Sequence, residues 1–224
     1  DAYESIVKDF MNTKRLGQFY TPPVIKNIML DLIDPKVKED GTIESMFDPA
    51  MGTGGFLINY INKIKDTAYN KNINLDLDYI AKNSIGGREC DYRPFTICET
   101  NMILKLGKYC NNLEFGDSIT SPIKNKYDII ITNPPFGIKK SYDNLNININ
   151  GQIKKEQYMP IISNNSVMLF LQIVMYILKI NGRCGIVLPS FGEEISGNNN
   201  ALCKTRELLM KSCDLKEIIF FKKK

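Results

Sequence analysis

Four consecutive residues, Asn133-Pro134-Pro135-Phe136, stand directly after the apolar stretch Tyr127 to Thr132. The Asn side chain offers an amide oxygen, and the prolines present carbonyls without a competing N–H. Phe136 adds an exposed ring. Such a corner can hold a flat base that carries an exocyclic amine. With the glycine-rich segment far upstream, it points to methyl transfer onto a nucleic-acid base. That chemistry needs no metal and no strong base, and the chain has no histidine, the commonest zinc ligand and general base.

The upstream segment is Asp48-Pro49-Ala50-Met51-Gly52-Thr53-Gly54-Gly55-Phe56. Gly52 and Gly54 let the chain turn sharply, and N–H groups at the following helix start can meet a carboxylate or phosphate. Alone, the pattern also describes an ordinary strand-to-helix turn. No lysine follows it as in a phosphate-binding loop. Asp48 disfavours a pyrophosphate and welcomes an ammonium, which suits a ligand with both ammonium and carboxylate. Glu89 ends the next strand-like segment, where it can accept both ribose hydroxyls. Asp117 follows the third, where it can accept from an adenine amine. Any one of these acids would pass for a solvated loop residue. Three after successive strands favour a nucleoside site.

These residues require elements that bring them together. Strand-like segments are expected at Ile43 to Phe47, Ile85 to Arg88, Leu113 to Phe115, Tyr127 to Thr132, Cys184 to Leu188 and Leu215 to Phe221. Helices are expected from Tyr3 to Thr13, from a Thr21 cap with Pro22 and Pro23 in its first turn to about Leu32, and from the glycine turn to about Tyr69. Others are expected over Phe95 to Lys108, from Val167 to Leu178 with Ser163 or Ser166 as cap and Gly182 as stop, and from Leu202 to Met210. This alternation predicts an α/β fold, an open, mostly parallel doubly wound sheet that binds ligands beyond its strand carboxyl ends. Residues 1–40 read as a helical N-terminal segment and 41–224 as the core. The Asn-rich stretch from about 141 to 166 reads as a long mobile loop, either a substrate-gripping lid or a plain insertion. Lys139, Lys140, Lys154 and Lys155 around it are candidate phosphate contacts.

At 224 residues the chain can bury one substantial core. It is 43% apolar and 24% charged with a net charge of +4, which permits a polyanionic partner without demonstrating one. No apolar run spans a membrane and the start lacks a signal-peptide pattern, so a cytoplasmic protein without membrane contact is expected. The six cysteines form no Cys-x-x-Cys pair and read as reduced interior thiols. The first residue is Asp1, as in a piece of a longer chain.

Asp48 to Phe56 together with Asn133 to Phe136 resembles the N6-adenine DNA methyltransferases, in particular the modification subunit of type I restriction-modification systems. Leu16-Gly17-Gln18-Phe19-Tyr20-Thr21-Pro22 resembles that family's upstream cofactor motif, and its place before the glycine turn gives the gamma-type motif order. Asn101 to Leu104, Gly116-Asp117-Ser118 and Gly182 to Pro189 extend the likeness over nearly the whole chain. The resemblance implies a Rossmann-like fold and S-adenosyl-L-methionine as cofactor. Phe19 and Thr21 would cover its methionyl end, with Asp48, Gly52 and Gly54 beneath, while Glu89 holds the ribose and Asp117 the adenine. Asn133 and the Pro134 carbonyl, within the Asn133-Pro134-Pro135-Phe136 corner, would take the amine of a flipped adenine in DNA, and Phe136 would stack on it. Separate specificity and restriction subunits are the implied partners.

Two departures stand out. Met51 occupies a place where the family usually has a small residue. The chain also stops after the expected sixth strand, without the antiparallel seventh strand usual in such folds. Missing residues, a partner or a rearranged end would each account for that. An RNA adenine methyltransferase, a protein glutamine methyltransferase and a non-catalytic methyltransferase-like scaffold remain open at this point.

Overall fold

The computed structural model describes residues 21–137, 155–189 and 200–221. The expected helix at Tyr3 to Thr13, Phe19, Lys139, Lys140 and Lys154 lie outside these residues. The described elements begin with helix α1 (Pro23–Ile33), followed by strand β1 (Met46–Asp48) and helix α2 (Gly55–Asn70). A short helix α3 (Leu77–Tyr79) runs through a π-helical turn, Ile80–Ser84, into β2 (Ile85–Glu89). Then come α4 (Tyr92–Leu106), β3 (Asn112–Phe115), β4 (Tyr127–Thr132), α5 (Lys155–Tyr158), α6 (Ser166–Ile177), β5 (Leu178–Ile186) and α7 (Asn200–Ser212).

Among the described residues five strands form one sheet in the order β3-β2-β1-β4-β5, with every pairing in it parallel. Strand order reverses between β1 and β4, so the cleft of this open sheet falls at their carboxyl ends. Strands covered on both faces carry apolar runs, as in the buried Met46-Phe47 and Ile129-Ile130-Ile131. One core layer joins α1, α2 and α4 to the sheet through Leu30, Leu57, Tyr60, Ile64 and Met102. The other sets Phe47, Tyr127 and Ile130 against Leu169 and Ile173 of α6. Helix α6 is buried almost all round, which explains a sequence without a polar face.

Several expectations need correction. Thr21 does not cap α1: Pro22 holds the cap position and no side chain bonds there. Helix α6 is capped by Asn165, whose side chain accepts the Val167 N–H at 2.9 Å, and not by Ser163 or Ser166. It ends at Ile177, before Gly182, which sits in the bulged start of β5 where a Cβ would lie 2.9 Å from the Asp128 carbonyl. Strand β1 begins at Met46, because Ile43 pairs antiparallel with Val37 in an isolated bridge.

Leu215 to Phe221 form no strand, and Ile218, Ile219, Phe220 and Phe221 are exposed. Their apolar pattern fits a strand, but the sheet among the described residues ends at β5 and does not include them. The far half of the expected mobile loop is packed. Tyr158 and Met159 are buried, and the Gln172 amide clamps the Ile161 backbone, accepting its N–H at 2.7 Å and donating to its carbonyl at 3.0 Å. Only Cys98 is a buried thiol; Cys90, Cys184 and Cys203 are exposed, and all six are free.

Candidate functional site

Asp48 ends β1, Glu89 ends β2, Asp117 follows β3 and Asn133 follows β4. Parallel strands therefore bring to one edge four groups that lie between positions 48 and 133 of the chain. Asp48 is buried, and its Oδ1 accepts the Ala50 N–H at 3.0 Å. Burial pushes its carboxyl up to about 7, and the charge of Glu89 pushes the same way; the nearby Thr132 hydroxyl and the Ala50 N–H pull against them. Thr132 Oγ1 is buried and makes no hydrogen bond of ordinary length and angle among the described residues. A buried acid so poised is one that a cation can ionise.

The glycine turn is built against α4. Gly52 and Gly54 both take positive φ, at 54° and 83°. A Cβ on Gly54 would sit 2.6 Å from Cys98 Sγ, whereas a Cβ on Gly52 would meet nothing within 4 Å. The turn thus leans on the core at one glycine and faces open space at the other. Asn101 fixes it by donating to the Thr53 carbonyl at 2.9 Å, and Ser118 donates to the Pro49 carbonyl at 2.6 Å. Helix α2 carries no acidic residue in its first turn, which leaves its positive end available to an anion.

Glu89 spends one oxygen on the Gly52 N–H at 3.0 Å and the other on the Asp91 N–H at 2.8 Å. The Gly52 N–H is thus already engaged within the turn. Burial raises the Glu89 carboxyl above its ordinary range against those two N–H groups. The Cys90 thiol and N–H also draw the Glu89 carboxyl down. Asp117 Oδ1 accepts the Ile119 N–H at 2.9 Å and closes its own turn.

Tyr92, Phe95 and Phe115 pack edge to face at 5.8 Å and 5.7 Å between rings, beside Glu89, which registers with Phe115. Tyr92 and Phe115 are exposed. Arg88 is buried, pairs with Glu114 and donates to the Ser121 carbonyl, which makes it structural.

Met51 answers the first departure. Its side chain is buried, with Sδ 3.6 Å from Cys98 Sγ, and it lies where a Cβ on Gly87 would come within 2.6 Å. The thioether points into the core and Gly87 makes room for it. Gly87→Ala is expected to cost about 1–3 kcal/mol of stability through overpacking, with Met51→Ala in the same chain recovering part of it. Denaturant unfolding checks this; an unchanged midpoint for Gly87→Ala would contradict it.

At the Asn133 corner, Asn133 Nδ2 donates to Thr21 Oγ1 at 3.0 Å, and Thr21 is buried. Asn133 Oδ1 is shielded from solvent in this conformation. Pro134 is buried, and the Pro135 carbonyl accepts from Ser166 Oγ at 2.9 Å. Phe136 is half-buried and rests on the cluster of Val167, Met168, Leu171 and Leu202. Sequence reasoning named Ser166 only as a helix-cap candidate and gave no role to the Tyr92 and Phe95 rings or to the Asn101 and Ser118 side chains. The three-residue spacing of Tyr92 and Phe95 on one helix was the signal available for that pair.

Among the described residues no group of three His, Cys, Asp or Glu could hold a metal, and no helix is long and apolar enough to cross a membrane.

The model of the N-6 DNA methylase family matches residues 1–224. A type I restriction enzyme EcoEI methylase subunit from Escherichia coli is 31% identical over 98% of this chain and 41% of its own length. The HindI methylase subunit of Haemophilus influenzae is 29% identical over 89% of this chain, again 41% of its own length. The chain thus spans about two fifths of the length of these curated relatives. Among solved structures, a chain from a type I restriction-modification system complex superposes with a TM-score of 0.69 at 26% identity, covering 92% of this chain and 39% of that one. The EcoKI M protein superposes at 0.67 with 23% identity over 89% of this chain and 39% of its own.

Proposed function

Because the chain belongs to the N-6 DNA methylase family, we propose that it transfers a methyl group from S-adenosyl-L-methionine to N6 of an adenine flipped out of DNA. The observation that carries this reading is the gathering of Asp48, Glu89, Asp117 and Asn133 at the carboxyl ends of four parallel strands beside the switch in strand order. The donor set fits the cofactor. Asp48 meets the ammonium, the turn at Gly52 and Gly54 admits the methionyl end, Glu89 holds the ribose hydroxyls and Asp117 the adenine amine. Tyr92 and Phe115 offer that adenine an apolar face. Bound there, the cofactor supplies an electrophilic methyl on a sulfonium.

The chain's own residues act on the other reactant. Adenine N6 is a poor nucleophile because its lone pair is delocalised into the ring. The Asn133 amide oxygen and the Pro134 carbonyl accept its two hydrogens, which draws the nitrogen toward tetrahedral geometry and aims the lone pair. Such alignment lowers the barrier by several kcal/mol. The proton released from N6 leaves along the same acceptors to solvent. Base extrusion costs a few kcal/mol, and stacking on Phe136 offsets about 1–3 kcal/mol of it. Phe136 combines this role with its packing on α6 and α7.

Residues 1–40 are assigned as the segment carrying the upstream cofactor motif, and 41–224 as the catalytic core. The partners proposed are DNA and separate specificity and restriction subunits, in keeping with relatives named as methylase subunits. The reading is tested by offering labelled methyl donor to DNA, RNA and protein in parallel with the full-length enzyme. Label confined to DNA is expected; label in RNA or protein instead would overturn it.

A further inference from the structure

Resting on the reading of Asn133 as acceptor for the target amine, we infer that Thr21 is a positioning residue whose hydroxyl holds the Asn133 side chain in place at the corner. A side-chain amide turns readily about its terminal bond, and an acceptor that turns loses the alignment an incoming amine needs. Thr21 Oγ1 takes Asn133 Nδ2 at 3.0 Å, which ties one end of the amide and so fixes the plane in which Oδ1 lies.

Thr21 is held stiffly enough for this task. It precedes two prolines, which restrict its backbone to extended conformations. The Pro22 carbonyl accepts the N–H groups of Ile25 and Lys26 at 3.0 and 3.2 Å, which fixes the start of α1. That helix is tied to α2 by Lys63–Asp31 at 2.7 Å and Asn59–Asn27 at 3.1 Å. Arg183 ties it to β5, donating to the Ile33 carbonyl at 2.8 Å. The hydroxyl therefore reaches Asn133 from a helix anchored on two sides, with Thr21 only 9% exposed. The family resemblance gives Thr21 a place over the cofactor's methionyl end. The two roles differ in what they move: a cofactor contact sets affinity, whereas a positioning residue sets turnover.

The test uses the full-length enzyme with Thr21→Val, which keeps the shape and removes the hydroxyl, and Thr21→Ser, which keeps the hydroxyl. Thr21→Val is expected to lower kcat at saturating cofactor and DNA about tenfold, from the loss of one orienting hydrogen bond. Cofactor Kd by calorimetry should stay within about twofold, and Thr21→Ser should keep kcat within about threefold. Unchanged kcat in Thr21→Val overturns the inference. So does a weakened Kd with unchanged saturated kcat, which would make Thr21 a cofactor ligand, and so does an equal loss in Thr21→Ser. If Thr21→Val fails to fold, Thr21→Ala against Thr21→Ser gives the same comparison. Asn133→Ala run alongside separates the two levels. Normal turnover in it removes the amine-holding reading altogether, while a dead Asn133→Ala beside a normal Thr21→Val removes only the role of Thr21.

Discussion

Asn133→Ala is expected to lower kcat by about 10²–10³-fold in the full-length enzyme, the scale seen when one transition-state hydrogen-bond partner is removed. Cofactor Kd should remain within about twofold, because the side chain is assigned to the base and not to the methyl donor. The size of the effect follows from where the charge develops. The amine carries little charge when it enters and a full positive charge as the methyl arrives, so an acceptor oxygen gains most at the transition state. Single-turnover kinetics with saturating DNA checks the first expectation and calorimetry the second. A variant that keeps turnover within about tenfold of the parent would remove Asn133 from the chemistry.

Asp48→Asn is expected to raise stability and lower cofactor affinity in the same protein. The native carboxyl is held near 7, against an ordinary value of 3.8. Between those values the folded protein retains a proton that the unfolded chain has released. Stability from this group is therefore fully present below about pH 4 and is lost as pH rises through about 7, by up to about 4 kcal/mol. An Asn keeps the bond to the Ala50 N–H without the buried charge. Its gain should be about 2–4 kcal/mol at pH 8 and vanish near pH 4. Denaturant midpoints at the two pH values measure it, and an equal effect at both would contradict it.

On the proposed reading, the ammonium of the cofactor favours the ionised form of Asp48. Parent affinity should therefore weaken about tenfold from pH 8 to pH 6, with uptake of the released proton by buffer. In Asp48→Asn that dependence should disappear, with an overall loss of about ten- to a hundredfold from one charge-assisted bond. Pale pH dependence in the parent, or full affinity in the variant, would place the ammonium elsewhere.

Much of this arrangement was legible from residue order, for reasons that differ by element. β4 runs from Tyr127 to Thr132 as its continuous apolar run predicted, because a central parallel strand buries both faces. The gathering of Asp48, Glu89, Asp117 and Asn133 at one edge follows from parallel strands alone, since each residue closes or follows a strand. Contacts between distant segments were not legible. Thr21 and Asn133 lie 112 positions apart, and Pro135 and Ser166 lie 31 apart. Nothing local in either pair announces its partner.

Met51 shows the same limit from the other side. Its bulk is anomalous only until Gly87, on the next strand, is seen to lack the Cβ that would meet it. Leu215 to Phe221 mark where pattern misleads, because strand propensity yields a strand only when a neighbour offers its edge. The Asn-rich stretch misled in part for a related reason. Tyr158 and Met159 are buried by α6 and the sheet layer beneath it, a tertiary contact that polar composition around them conceals.

The most direct test of the account is the identity of the methylated nucleoside. DNA modified by the full-length enzyme with labelled S-adenosyl-L-methionine is digested to nucleosides and separated. All label is expected in N6-methyladenine. Label in N4-methylcytosine or 5-methylcytosine would contradict the assignment of the Asn133 corner to an adenine amine.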